Sequence, residues 1–201
     1  MTNVVRQWDT RAPAPEERRL RADARRNRER ILESARVVFS ECGGDAQIDD
    51  VARRAGVGVG TVYRHFPTKE ALMVELVRQK FRVMTARARE TLEQGGEPFQ
   101  RLTAMMRANA EDVRRDAAMQ QTLAGFDEEI WAQAEPERDE LISLTGELVQ
   151  SARRAGTIRS DATPYDVAML MSGLCVSMVH GGVGFDWERH LELVIDALRP
   201  R

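Results

Sequence analysis

Ile31, Ala35, Val38 and Phe39 fall at i, i+4, i+7 and i+8. This is the single apolar stripe of an amphipathic helix, and the spacing predicts one over about 26–42. Gly43-Gly44 stops it, as glycine just past a helix does. Ile48, Val51, Ala52 and Ala55 mark a short second helix over 48–55, closed by Gly56, and Val57 plugs the core before a third helix over 59–66. Val62 and Phe66 are core positions of that third helix. Pro67 cannot extend it, and Thr68 is a natural N-cap for a long fourth helix from Lys69, with Leu72, Leu76 and Phe81 among its apolar positions. Past Gly95-Gly96 and Pro98 the helical pattern continues over 98–115, 117–133, 137–155, 164–180 and 187–198. Thr163-Pro164-Tyr165-Asp166 supplies an N-cap, a proline at the first helical position and a carboxylate at the third. No stretch reads as paired strands and no repeat is visible, so the expected fold class is all-α.

Residues 1–24 carry Pro13, Pro15 and scattered charge without periodicity, and read as a mobile basic arm. A three-helix unit over 25–75 and a helical domain over 76–201 follow. Charge separates the halves. Residues 1–91 hold 19 Lys/Arg against 13 Asp/Glu, net +6, and residues 92–201 hold 11 against 19, net −8. A basic half suits a polyanionic partner. Seven arginines crowd 18–30, Arg25 and Arg26 among them, and read either as a solvated helix start or as an arm lying on phosphate. Cys42 and Cys175 belong to no metal or redox spacing and read as two buried small hydrophobes of a reducing compartment. The first residues lack the apolar run of a signal peptide, and Val167–Val179 is too short to span a bilayer. A cytoplasmic protein with no membrane partner is expected.

The glycines Gly56, Gly58 and Gly60 point to a chemistry. Two short helices joined at a tight glycine turn make a helix-turn-helix, whose second helix enters a major groove about 12 Å wide. Gly56 permits the turn. Gly58 and Gly60 cost helix stability, yet their missing side chains let the backbone approach a phosphate or base edge. Thr61, Tyr63, Arg64 and His65 offer hydroxyl, phenol and nitrogen donors within two turns. Lys69 stands in the first turn of the fourth helix, where the dipole opposes a cation unless a phosphate binds there.

The run from Gln47 through Gly56, Gly58, Gly60, Thr61, Tyr63, His65, Phe66 and Lys69 to Leu72 resembles the DNA-binding signature of the TetR family of bacterial transcriptional regulators. The likeness spans about 26–76. It implies an N-terminal three-helix DNA-binding domain and a C-terminal helical ligand-binding and dimerisation domain. By position it implies a recognition helix over Val59–His65, with Thr61 and Tyr63 on phosphate or bases, Arg64 or His65 on the backbone, and Lys69 on phosphate. Two departures stand out: Gln47 and Gly58, where many relatives carry Ser or Thr and Ser respectively. Gln47 is the poorer cap. Val59, often polar in relatives, is free to press on a thymine methyl.

The acidic half offers two surfaces. Val167–Val179 is apolar on nearly every face, and Leu191, Val194, Ile195 and Leu198 form one stripe on the last helix. The family pattern pairs these two helices with those of a second copy, so Met171, Leu174, Met178, Leu191, Val194, Ile195 and Leu198 are the expected homodimer interface, with Gly173 allowing close approach. An inducer pocket is expected among the middle helices, walled by Met105, Met106, Met119, Leu123, Phe126, Trp131 and Met169. Asn109, Gln120, Gln121 and Asp127 are the candidate polar contacts. No catalytic or cofactor fingerprint appears, and Asp186 with His190 is a lone pair rather than a metal set. The function expected is a sequence-specific regulator binding a palindromic double-stranded DNA operator, a repressor released by a small-molecule inducer. The alternatives are an activator or a ligand-independent DNA-binding protein.

Overall fold

α1 (Pro15–Cys42) begins well before residue 26, where its apolar stripe predicts a start. The structure, a computed structural model, describes residues 15–182 and 184–200. The expected arm therefore divides: residues 1–14 lie outside the described range, and 15–24 are helical. The physical reason is in PEERRLRADAR. Pro15 sits at the first helical position, Glu16 complements the helix dipole, and the residues that follow are mostly strong helix formers.

A 3₁₀ turn at Gly43–Asp45 leads into α2 (Ile48–Ala55), α3 (Val59–His65) and α4 (Lys69–Glu93). α5 (Pro98–Arg115), α6 (Ala117–Ala124), α7 (Glu128–Ala132), α8 (Glu135–Arg154), α9 (Pro164–His180) and α10 (Trp187–Ala197) complete a chain with no strand among the described residues. The start of α9 is a capping box: Thr163 Oγ1 accepts from Asp166 N at 3.2 Å, and Asp166 accepts from Thr163 N at 2.8 Å.

The helix expected over 117–133 is two. Gly125 ends α6, and Asp127 precedes α7. The break drops Phe126 into the core beside Phe39, edge to face at 6.0 Å between centroids. Two apolar cores result. The first joins α1–α3 and the start of α4 to Met119, Leu123, Phe126, Ile130 and Ala134 of the α6–α7 segment. Thr122 reinforces that seam, its hydroxyl donating to Phe39 O at 2.9 Å. The second core gathers α5, α8, α9 and α10 around the later part of α4. Phe81 of α4 packs against both.

Candidate nucleic-acid interface and internal cavity

Gly56 ends α2 in the left-handed conformation, φ 63° and ψ 39°. Its N–H donates to Arg53 O at 3.2 Å and the Val57 N–H to Ala52 O at 3.1 Å, the paired bonds of a Schellman turn. Arg30 of α1 donates to Ala55 O beside this turn, fixing α2 against α1. α3 then buries Val62 fully and is followed by buried Phe66, while Gly58, Val59, Gly60, Tyr63 and Arg64 are exposed and Thr61 and His65 half-buried. α3 is thus anchored through Val62 and the Phe66 that follows it. Val59, Gly60, Tyr63 and Arg64 are open on α3 and Gly58 just before it, while Thr61 and His65 are partly covered.

Tyr63 is 47% exposed and does not pack between helices. With Gln47, Ile48, Asp49, Asp50 and Lys69 it lines one open concavity of about 410 Å³. Gln47 occupies the α2 N-cap without capping it: Nε2 donates to Asp45 O at 2.7 Å instead. Lys69 has a partner inside the protein. Its Nζ donates to Gly44 O at 2.7 Å and lies 5.7 Å from the Phe39 ring centroid. The dipole's opposition is therefore answered by a carbonyl before any phosphate arrives, and two ammonium protons remain for one. Thr68 caps α4, accepting from Ala71 N at 3.1 Å. On α1, Arg25 and Arg26 are exposed and pair with Glu29 and Asp23 along the helix. Arg28 and Arg30 are fold-building arginines: Arg28 turns inward to Glu75 of α4 at 2.9 Å.

A second feature is a cavity of about 900 Å³ bounded by α1 and by α4 through α9, at the upper end of the ~300–1,000 Å³ range of small-molecule sites. Met105, Met106, Asn109, Met119, Leu123 and Trp131 line it. Phe126 does not, because it fills the first core. Met169 does not, because it is 73% exposed on the outer face of α9. Asn109 is already held by Arg87. Gln120 lines the cavity, whereas Gln121 and Asp127 are exposed outside it. Sequence reasoning missed Lys80, which lies in the wall and donates to Gln120 Oε1 at 2.7 Å. A signal existed: Lys80 interrupts the row Leu72, Leu76, Met84, Ala88 at helical spacing.

The residues expected at a dimer interface lie mostly inside the chain's own core. Met171, Leu174, Leu191, Val194, Ile195 and Leu198 are buried in the protomer's own second core, and Met178 is half-buried against it. A helix buries the stripe nearest its own domain, leaving other positions for any partner. Those are Tyr165 and Met169 on α9 and Leu193 on α10, all exposed, whereas exposed Val176 lines the cavity. Gly173 is exposed, with open space where a Cβ would stand. The cysteines differ from expectation too: Cys42 is exposed and Cys175 half-buried in the cavity wall, where burial pushes its thiol pKa up. No helix among the described residues is long and apolar enough to cross a membrane.

Residues 31–76 match the bacterial regulatory proteins of the tetR family, and residues 97–200 match the C-terminal domain of SbtR-like transcriptional regulators. The HTH-type transcriptional repressor KstR of Mycobacterium tuberculosis is 30% identical over 154 residues, covering 76% of this chain and 69% of that protein. KstR of Mycolicibacterium smegmatis is 40% identical over 83 residues, 41% of each chain. Among solved structures, a TetR transcription regulatory protein from Mycobacterium vanbaalenii is 38% identical, covers 90% of this chain and 99% of its own, and superposes with a TM-score of 0.64. The Bacillus subtilis regulator FadR, solved in complex with stearoyl-CoA, shares the fold at a TM-score of 0.71 and 17% identity, covering 85% of this chain and 99% of its own.

Proposed function

We propose that this chain, which belongs to the TetR family of bacterial regulatory proteins, is a homodimeric repressor that leaves its operator when a small molecule enters the cavity beside α4. The observation that carries the reading is one helix with two duties. α4 begins at Lys69, next to the open face of α3, and three turns on presents Lys80 and then Met84 to the cavity. α6 is a second link, since Met119 and Leu123 belong both to the cavity wall and to the core beneath the helix-turn-helix.

On this reading α3 lies in the major groove. Thr61, Tyr63 and Val59 meet base edges or phosphate, Gly58 and Gly60 let the backbone close in, and Arg64, His65, Gln47 and Lys69 hold the sugar-phosphate chain. Arg25 and Arg26 lie along flanking phosphate. One such helix covers a half-site, and a second copy supplies the other about one helical turn, or a multiple, away. The exposed apolar positions of α9 and α10 support that copy as the partner. A ligand wedged against α4 and α6 changes the separation of the two recognition helices. A coupling of about 1–3 kcal/mol suffices for release.

Fluorescence anisotropy with DNA flanking the protein's own gene, against a scrambled duplex, tests the reading. The expected result is preference for the flanking DNA that persists as salt rises and drops at least about tenfold in a Thr61→Ala, Tyr63→Phe variant. Equal binding to both duplexes, collapsing together with salt, overturns sequence-specific regulation.

A further inference from the structure

Along α4 the row at every fourth residue reads Leu72, Leu76, Lys80, Met84, Ala88, apolar but for one position. Lys80 brings its ammonium into the cavity wall beside Gln120, with the Trp131 ring centroid 5.5 Å away and Cys175 close by. Every other charged side chain lining that cavity already holds an ion-pair partner. Arg36 pairs with Glu33 and Asp116, Asp112 with Arg87, Arg115 with Glu111, and Arg138 with Glu135. Lys80 has no carboxylate partner among the described residues. It is met by an amide oxygen and an aromatic face, both neutral.

That arrangement is one half of an ion pair, held by a half-buried lysine in the cavity wall. An ammonium withdrawn from water without an anion is destabilised, and burial pulls the Lys80 pKa down accordingly. An entering anion would recover the lost interaction. Gln120 takes one ammonium proton and leaves two for an incoming oxygen. Apart from those paired charges the wall is largely apolar, with Met84, Met105 and Met106 able to follow the shape of a flexible hydrocarbon.

We infer that the cavity binds an amphipathic organic monoanion, a carboxylic acid with an apolar body, whose carboxylate sits on Lys80 and whose hydrocarbon lies along the methionines. A single uncommitted cation selects a single negative charge. A polyphosphate-bearing head would meet guanidinium groups that are already engaged and the carboxylates of Asp112 and Asp116. This assignment rests on the proposed reading of the cavity as the effector site, and it gives that effector a chemical class.

The test uses the full-length protein and three probes of one chain length: decanoate, methyl decanoate and decanoyl-coenzyme A, titrated by calorimetry with Trp131 fluorescence as a second signal. Decanoate is expected to bind at least about tenfold more tightly than the ester, the scale of one hydrogen bond to a charged group. Lys80→Met is expected to abolish that difference by weakening decanoate while leaving the ester within about twofold; Lys80→Arg is expected to keep most of the preference. Circular dichroism melts of both variants check that the fold is intact, and ester binding is itself a measure of an intact cavity. Equal binding of acid and ester, a preference untouched in Lys80→Met, tighter binding of the coenzyme A thioester, or no binding of any probe each overturns the assignment. DNA release is read separately by anisotropy. Decanoate held through Lys80 without release leaves the assignment standing and overturns the effector reading. Release by an uncharged compound indifferent to Lys80 does the reverse.

Discussion

Glu75 is a buried carboxylate on α4 with one oxygen 2.9 Å from Arg28 of α1 and the other 2.8 Å from Arg82. Arg82 and Arg78 also approach Glu137 of α8, each at 3.6 Å. The carboxylate thus ties the first helix to the fourth, and the two arginines of the fourth reach Glu137 of the eighth. Burial pushes its pKa up, and the hydrogen bonds from Arg82 and Arg28 pull it down further, to below the ordinary glutamate value. A depressed folded-state pKa means that the unfolded chain takes up the proton first as pH falls. The stability Glu75 contributes is therefore fully present at neutral pH. It is lost as pH drops from the ordinary glutamate value through the lower folded one. Glu75→Gln removes that contribution, and urea unfolding is expected to show a loss of about 1–3 kcal/mol at pH 7. The gap to the parent protein should close in acid, where both carry an uncharged side chain. A gap independent of pH would assign the effect to packing. None of this was legible in the sequence, because an amphipathic reading places Glu75 on a solvent face and only the arrival of Arg28 from another helix makes its burial tolerable.

At the scale of elements, the helix-turn-helix was the most legible part of the chain and α6–α7 among the least. α2 and α3 are short, and their ends are set by local chemistry: a left-handed glycine, a proline, a hydroxyl cap. Those signals sit within a few residues of what they control. The α6–α7 break depends instead on Phe126 finding Phe39 across the molecule, a contact no local pattern encodes. The two kinds of glycine in the turn should separate experimentally. Gly56→Ala forces a side chain into positive φ and is expected to cost about 1–2 kcal/mol. Gly60 lies in a helix, and beyond its own helical backbone nothing stands within 4 Å of where a Cβ would be. Gly60→Ala should therefore stabilise the free protein by up to about 1 kcal/mol. If the glycine is there for close approach to DNA, the same variant binds its operator several-fold more weakly. Thermal melts and anisotropy on one preparation read both numbers, and stabilisation with undiminished DNA binding would remove the reason offered for Gly60.

Across the whole molecule, the residues expected at a dimer surface are mostly buried within the single chain. Apolar periodicity marks which positions of α9 and α10 are buried, but it cannot say whether the neighbour is the same chain or a second one. Exposure in the single chain shows only which positions its own core leaves open. Tyr165 and Met169 lie one turn apart on α9, and both remain largely accessible in the protomer. A charge there leaves the second core intact, whereas Leu174→Glu would place a carboxylate where no exposed area remains. On the proposed dimer, Tyr165→Ser with Met169→Glu is therefore expected to preserve the circular dichroism melt while raising the dissociation constant by about a hundredfold, as loss of central apolar contacts does at other interfaces. Sedimentation velocity across micromolar concentrations reads the shift directly. Operator affinity should fall with it, because a monomer holds one half-site and loses the second as a tethered contact. An unchanged sedimentation profile with intact folding would place the partner surface elsewhere. Loss of DNA binding without dissociation would mean that α9 acts on the recognition helices through the protomer rather than through a second copy.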